Sequence, residues 1–536
     1  MRSSSVRAAF AGKHLLLTGV TGFLGKVWLA TLLDHLPELR RVTVLIRPTR
    51  DVTAEARFDR IVERSPAFRA LRQRLGPEAR RYVAARVRVV EAQLTEPLCG
   101  WTEAQARALL ADVDAVVHFA GLTDFEPDPV AALRINIDGA MHLADLAARS
   151  PGRRYVHCST AFVAGRVFGE VPEALEVGVA PNGVRFRPAQ ELSALRAAIV
   201  DHDTASARSA CVTARAAALG WPNTYTYTKA LAEHCLATRR DVVATTVRPA
   251  IVECATRYPF PGWNEGINTS GPLVWLMSTS FRRLPARAEI GFDVVPVDTV
   301  ARGVTLAVAA ALRDDAHDVY HIASSRLNRF TMGRAIELTD LALRRTHRRG
   351  ARWAERELLS RLDTVAVDAE RPPWLGTPEL QRAASAARAL LRDVDLERAL
   401  PPALFERFGA GLERRRQRWS KQCREADRSL GRVQKMLRQY RPFIYDQDYT
   451  FRTDHLEAAT AALGADERAL FGFDIADLDW RHYWLDVEVP GLQRWCIPLL
   501  EGERIPDDPA ISVLPADDAS RTAQVPSGRR ATQATA

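Results

Sequence analysis

Thr18–Lys26 reads TGVTGFLGK, and this stretch decides the fold. Before it lies the apolar run Lys13–Thr18 (KHLLLT), and after it apolar residues recur at helical spacing over Gly25–Leu36. Gly19 permits a tight turn, Gly22 lets backbone come close to a pyrophosphate, and Gly25 allows a helix to pack closely on a strand. The N-terminus of the following helix supplies free N–H groups and a positive dipole for phosphates. The spacing is GxxGxxG rather than the GxGxxG of many dehydrogenases. A glycine triplet alone is a weak signal; its position between a strand and a helix favours a dinucleotide site over a purely structural turn.

Working outward, short apolar, β-branched runs recur: Val42–Ile46, Arg86–Glu91, Ala115–Phe119, Tyr155–Ser159, Val242–Val247 and Val319–Ala323. They are too continuous for one-sided strands and read as strands buried on both faces. Helical patterns lie between them, at Asp128–Arg149 and Thr228–Arg239 among others. The alternation predicts an α/β protein with a Rossmann-like, doubly wound parallel sheet. After about residue 330 the strand signals stop. Ser360–Asp368, Pro378–Leu400 and Ala403–Tyr440 read as mainly helical, and Tyr440–Phe451 and Phe471–Trp484 are rich in aromatics. Residues 1–330 are therefore expected to form a dinucleotide-binding reductase domain with substrate-binding insertions, 331–510 a smaller helical domain, and 511–536 a disordered tail.

Composition narrows the class. The chain has 536 residues, 47% hydrophobic and 26% charged, which excludes wholesale disorder. Seven scattered cysteines without a CxxC pair argue against a disulfide framework or a zinc ribbon and for a reducing, cytoplasmic compartment. No run reaches 18 apolar residues, so no membrane-spanning helix is expected. Lys13 and His14 interrupt the N-terminal apolar run, which argues against a signal peptide. The net charge is +9, and Leu412–Arg441 alone carries eleven basic and three acidic residues. The rest is near neutral, which argues against a nucleic-acid binder. Within that segment Trp419, Cys423, Ala426, Leu430, Val433, Leu437 and Tyr440 form one apolar seam. Arg414–Arg441 is thus either a solvated face over a packed seam or a patch for an anionic membrane surface or the phosphates of coenzyme A.

Only five of the 74 basic residues are lysines, so a chance Tyr-xxx-Lys against ten tyrosines is expected roughly 0.1 times. Tyr225-Thr226-Tyr227-Thr228-Lys229 contains one, leading into a helix. Positions i and i+4 share a helix face. An ammonium beside a phenol stabilises the phenolate, which makes tyrosine a usable acid near neutral pH, and can also hold a nicotinamide ribose. A third member should end a central strand, and His157-Cys158-Ser159-Thr160-Ala161 does so. A hydroxyl there can hydrogen-bond a carbonyl oxygen as charge develops on it. Ser159 and Thr160 both qualify, with Thr160 favoured. Asn136 could support a proton relay or make a helix polar contact. The second strand ends Ile46-Arg47-Pro48, with arginine where an NAD site usually has an acid. Arg47, with Arg50 nearby, points to a 2′-phosphate and so to NADPH.

TGVTGFLGK, Ser159-Thr160 and Tyr225–Lys229 together resemble the extended short-chain dehydrogenase/reductase superfamily. VVHFAG (Val116–Gly121), WPNTYTYTKALAE (Trp221–Glu233), TVRPAIVECA (Thr246–Ala255), YPFPGWNEG (Tyr258–Gly266) and DVVPVD (Asp293–Asp298) narrow the resemblance to fatty acyl-CoA reductases of the male-sterility type, most like bacterial alcohol-forming members. The match is dense over about residues 11–325, and Lys435–Phe451 resembles the family's C-terminal domain more loosely. The resemblance implies NADPH-dependent reduction of a long-chain acyl thioester, borne by coenzyme A or an acyl carrier protein. It implies Thr160 (or Ser159), Tyr225 and Lys229 as catalytic. As cofactor-binding it implies Thr18, Gly19, Thr21, Gly22, Phe23, Leu24, Gly25 and Arg47, with Gln93, Leu94, Ala120, Tyr225 and Lys229. Two departures stand out. Gln93-Leu94 occupies the position expected near the adenine, and Phe119-Ala120-Gly121 replaces a more usual small pair under the nicotinamide ribose.

Other chemistries compete. Asp201-His202-Asp203 is the densest ligand cluster, but sequence neighbours rarely face one cation, so a solvated loop is preferred and no metal is expected. Cys158 lies beside the proposed site, yet no base is evident to activate it for a covalent acyl route. A sugar-nucleotide epimerase shares the fold and the Tyr/Lys pair, but Arg47 and the long C-terminal region argue against it. A silent NADP-binding scaffold would not need the intact pair. Residues between Tyr258 and Phe281 are candidates for the acyl lining.

Overall fold

The computed structural model describes residues 5–505 apart from 268–269, 280–282, 351–363, 369, 371–417, 420, 422–430 and 432. Its centre is a seven-stranded sheet. The strands are β1 (His14–Thr18), β2 (Arg41–Ile46), β3 (Val87–Glu91), β4 (Ala115–His118), β5 (Arg154–Cys158), β6 (Val243–Pro249) and β7 (Val319–Ile322). Their order is β3-β2-β1-β4-β5-β6-β7, and every pairing is parallel. The apolar runs become strands because helices cover both faces; β1 is buried along its whole length. The chain reverses direction across the sheet between β1 and β4, and a crevice opens at the carboxyl ends there, where ligands bind in open α/β sheets.

Four helices position that crevice: α1 (Phe23–His35), α2 (Gly139–Arg149), α3 (Thr224–Ala237) and α4 (Val297–Leu312). All sixteen residues of α4 are buried. It packs against α1, and the Trp28 indole N–H donates to the Thr305 hydroxyl at 3.0 Å between them. Such an all-round buried helix must be largely apolar, and VARGVTLAVAAAL is, apart from Arg302, whose guanidinium pairs with Asp474 at 2.6 Å.

The expectation that strands end near residue 330 fails twice. Val365–Val367, read from sequence as helical, is a strand paired with Arg283–Pro285, and Asp448–Phe451 is a strand paired with Phe168–Val171. Each is three or four residues long and lies in a two-stranded sheet, too short to show a period. The region beyond residue 433 does not stand apart. One core cluster contains β-sheet residues such as Leu15 and Val44 together with Phe443, Tyr483 and Trp495. The Glu467 carboxylate accepts from the backbone N–H of Val6 and Arg7, at 2.8 and 3.0 Å. The expected helix at Pro378–Leu400, most of the seam and basic stretch around Arg414–Arg441, and the tail from residue 511 lie outside the described residues. Among the described residues, no helix is long and apolar enough to cross a membrane.

Candidate active site

At the carboxyl ends of the strands lies a cavity of about 760 Å³. One wall is the glycine loop. Gly19 has φ +80°, and a Cβ there would sit 2.7 Å from the Ala120 nitrogen. A Cβ on Gly25 would sit 2.2 Å from the Gly19 carbonyl oxygen, so the loop folds back on the first turn of α1. At Gly22, the N-cap of α1, a Cβ would meet only the Gly19 oxygen, at 3.4 Å. That leaves a bare backbone concavity at a helix N-terminus, and it fits a phosphate group. The Thr18 hydroxyl is turned inward: it bonds His118 Nδ1 at 2.8 Å and accepts from the Ala120 N–H at 3.3 Å.

Of the candidate residues, Gly19, Gly22, Phe23, Leu24, Gly25, Ser159, Thr160, Tyr225 and Lys229 line this one cavity. Thr18, Thr21, Arg47, Gln93, Leu94 and Ala120 do not. Arg47 is exposed just beyond β2, its carbonyl oxygen accepting from the Arg57 guanidinium. Gln93 and Leu94 follow β3; their backbone is used internally, Leu94 accepting from the His142 ring at 2.9 Å.

The chemical end is built by β5 and α3. Asn223 caps α3, its side chain accepting from the Thr226 N–H at 2.9 Å, which places Tyr225 in the first turn and Lys229 one turn later. Lys229 is 3% exposed. Its Nζ donates to the Cys158 carbonyl at 2.7 Å and lies 3.4 Å from His157 Nε2. Burial holds its ammonium below the usual lysine range. Burial pushes the Tyr225 phenol up, and the Thr160 hydroxyl bonded to it opposes the rise. The lysine is thus seated on β5 rather than on the phenol, which differs from the simple ammonium–phenol contact the spacing suggests. Thr160 also caps the turn at Ala161–Ala164, accepting from the Phe162 N–H at 3.4 Å. The Ser159 hydroxyl is buried and has no partner among the described residues. An orphaned donor at the wall of a polar cavity is unusual and suits a ligand oxygen.

Two alternatives lose ground here. Burial pushes the Cys158 thiol up to about 11, the opposite of an activated nucleophile. The Asn136 amide is committed to the Leu122 backbone, at 2.8 and 3.1 Å, and to the Thr228 hydroxyl at 3.1 Å, which is the polar-contact reading rather than the relay. In the Asp201–Asp203 segment the His202 ring bonds the Ala198 carbonyl oxygen at 2.8 Å.

The remaining wall is aromatic and was not foreseen. Phe125 stacks on Phe443 at 5.1 Å and meets Tyr440 edge-on at 5.7 Å; Phe162 meets Phe443 at 5.0 Å. Phe125 also lies 6.2 Å from the Tyr225 ring. The sequence signal was the aromatic stretch Tyr440–Phe451, but nothing local tied it to β5. Among the described residues of the expected Tyr258–Phe281 lining, Glu265, Gly266 and Ile267 reach the cavity. Glu265 pairs with Lys26 of α1 across its edge.

A model of the family described as Male sterility protein matches residues 17–304. The chain is 30% identical over 332 residues to an alcohol-forming fatty acyl-CoA reductase of Simmondsia chinensis, spanning 59% of this chain and 67% of that one. It is 25% identical over 499 residues to a probable fatty acyl-CoA reductase 4 of Arabidopsis thaliana, spanning 90% and 96%. Among solved structures, the reductase domain of a nonribosomal peptide synthetase from Mycobacterium tuberculosis is similar at TM-score 0.49 and 18% identity, over 94% of this chain and 96% of that one.

Proposed function

We propose, from the premise that this chain belongs to the male sterility protein family, that one site reduces a long-chain fatty acyl-CoA to the alcohol with NADPH, through an aldehyde kept in the cavity. The protein is an NAD(P)-binding oxidoreductase of the extended short-chain dehydrogenase/reductase superfamily that reduces acyl groups. The observation that carries the proposal is the convergence in one cavity of a bare phosphate-sized loop, strand-end hydroxyls, a Tyr/Lys pair and an aromatic wall.

Gly22 and the first turn of α1 would hold the pyrophosphate, and Lys229 the nicotinamide ribose. Arg47, exposed where an acid would select NAD, supports NADPH; Arg47→Asp should erase the preference for NADPH over NADH, measured as the ratio of kcat/KM values. When bound, the cofactor would supply the hydride that each round adds to the carbonyl carbon. Thr160, with Ser159 as the competing donor, and Tyr225 hydrogen-bond the oxygen as the C=O electron pair moves onto it. In the first round the C=O bond re-forms, the C–S bond breaks and the departing sulfur takes a proton, leaving aldehyde and thiol. In the second, the Tyr225 O–H protonates the alkoxide, and Lys229 stabilises the phenolate left behind. Both rounds put charge on the same oxygen, so one set of donors serves both. Phe125, Phe162, Tyr440 and Phe443 cover the acyl chain and exclude water while the cofactor exchanges.

The test is stoichiometry with a C16–C18 acyl-CoA in excess NADPH. Two NADPH consumed per free thiol, with alcohol as product, supports the reading. One NADPH per thiol, with aldehyde accumulating and added aldehyde untouched, restricts the site to the first step.

A further inference from the structure

Beneath the cavity floor runs a buried polar ladder. Thr18, His118 and His157 are in register across β1, β4 and β5, and all three are at most 1% exposed. The His118 and His157 rings lie 5.4 Å apart. The Tyr155 hydroxyl, two residues before His157, donates to the Ala140 carbonyl oxygen of α2 at 3.1 Å and lies 3.5 Å from His157 Nδ1. Lys229 Nζ lies 3.4 Å from the other ring nitrogen, Nε2. The Tyr/Lys reading does not use any of these groups except the lysine.

We propose that His157 is a positioning residue for Lys229, a neutral imidazole whose Nε2 lone pair accepts one of the three ammonium N–H bonds. The hydrogen-bond directions fix the tautomer. Tyr155 spends its only O–H on Ala140, so its oxygen can only accept from His157, and Nδ1 carries the proton. Nε2 then has a free lone pair, which the ammonium faces. With the Cys158 carbonyl taking a second N–H, β5 fixes two of the three lysine donors and leaves one for the cavity. This is a rigid, buried support of the kind that orients a reacting group. The inference rests on the Tyr225/Lys229 reading given above.

The consequence is a pH dependence. An ammonium in a buried site is stabilised by each acceptor it has, so removing the imidazole acceptor disfavours the charged lysine. Turnover in the reducing direction needs Lys229 charged and Tyr225 protonated, and its alkaline limb should move to lower pH. The other titratable groups facing the lysine are His118 on β4, Cys158 on β5, and Tyr225 and Glu233 on its own helix. Burial pushes His118 down to about 3 and Cys158 up to about 11, so both are neutral through the window that matters. Asp124 and Glu265 share the cavity wall. They are unchanged in the variants below and cancel from the comparison.

Two amide substitutions separate positioning from packing. In His157→Gln the amide oxygen reaches the Nε2 position and still accepts from Lys229. In His157→Asn the amide stops at the Nδ1 position and keeps only the Tyr155 side. Both are polar and remove a ring, so structural damage should be alike. With saturating NADPH and palmitoyl-CoA, the alkaline limb of kcat should stay near wild type in His157→Gln. In His157→Asn it should fall by about one pH unit, with KM changed less than about threefold. Equal limbs in the two variants, or a limb unmoved in His157→Asn, overturn the proposal. If neither variant is obtained folded, ¹⁵N-histidine NMR of the wild-type protein decides. A neutral, Nδ1-protonated ring whose Nε2 resonance moves as Lys229 titrates supports the proposal, and the opposite tautomer overturns it. Lys229→Met distinguishes the two levels: full activity in it removes the Tyr/Lys reading itself, whereas loss of activity there with an unmoved limb in His157→Asn removes only the role of His157.

Discussion

The two halves of the cavity are built differently. The chemical half comes from two short segments, Cys158–Thr160 at the end of β5 and Tyr225–Lys229 on α3, and is polar, hydrogen-bonded and tightly seated. The aromatic half comes from Phe125, Phe162, Tyr440 and Phe443, which lie up to 318 positions apart in the chain (443 minus 125) and meet only through ring contacts of 5.0 to 5.7 Å. On the proposed reading, the directional half sets the reaction and the non-directional half sets what fits. Hydrogen-bond donors lose their function when displaced by a fraction of an ångström, whereas apolar surface tolerates repacking.

The largest effect should follow from damage to the chemical half. On the proposed reading, Tyr225→Phe removes the proton donor without touching the glycine loop, so NADPH should still bind while turnover falls by about a hundredfold or more. Near-normal turnover would dissolve the distinction between the halves. Tyr227→Phe, two residues on, sharpens it. Tyr227 is fully buried and donates to Glu191, which Arg215 holds by two bonds of 2.7 Å. Its loss should cost stability, about 1–3 kcal/mol for a buried group left short of a partner, with kcat per folded molecule nearly unchanged. Thermal melts and active-site titration read the two quantities separately.

In the aromatic half, Phe443→Leu keeps an apolar wall but removes the stacking surface shared by Phe125 and Phe162. The expected result is a roughly tenfold drop in kcat/KM for a C16 acyl-CoA, the scale of one or two lost contacts in an apolar pocket, with kcat at saturation changed little. A loss confined to kcat would mean that the aromatic half takes part in the chemistry.

The same contrast explains what could be read from the sequence. Seven strands and their parallel arrangement were legible because burial on both faces forces continuous apolar runs, although the edge strand β3 departs from that reading, leaving Arg88 and Glu91 exposed. The glycine loop and Tyr225–Lys229 were legible because their logic is contained in a few residues. Phe443 was not, because its partners are distant and a lone aromatic has no signature beyond being apolar. Nor was the seat of Lys229: His157 sits in a strand whose neighbours are Val156 and Cys158, and only the lateral register of β5 with β4 and the facing of α3 give the ring a partner. The strands at Val365–Val367 and Asp448–Phe451 were missed because pairing, not propensity, makes them strands.

The smallest expected effect concerns how the two halves are joined. Glu253, next to the cavity residue Val252, and Glu488, from the region that also supplies Phe443, are both fully buried. Glu253 accepts from the Ser270 N–H and hydroxyl at 2.7 Å, and Glu488 from the Cys254 N–H at 3.1 Å and the Tyr483 hydroxyl at 2.8 Å. The remaining oxygens, Glu253 Oε2 and Glu488 Oε1, have no donor among the described residues, and the two side chains face each other as hydrogen-bond neighbours. Two carboxylates cannot both be charged there, and one shared proton satisfies both oxygens. Burial, then the neighbouring carboxylate, pushes Glu253 well above its usual range. Its folded value therefore exceeds its unfolded value of about 4.3. The folded state holds a proton that the unfolded state releases, so the stabilising contribution is complete below that pH and is lost as pH rises toward the folded value. Wild-type stability should fall as pH rises from about 5 toward the folded value, and Glu253→Gln, which donates to Glu488 without a titrating proton, should flatten that part of the curve. Melting temperatures of both proteins across this range test it. Parallel curves would mean that the pair carries no retained proton.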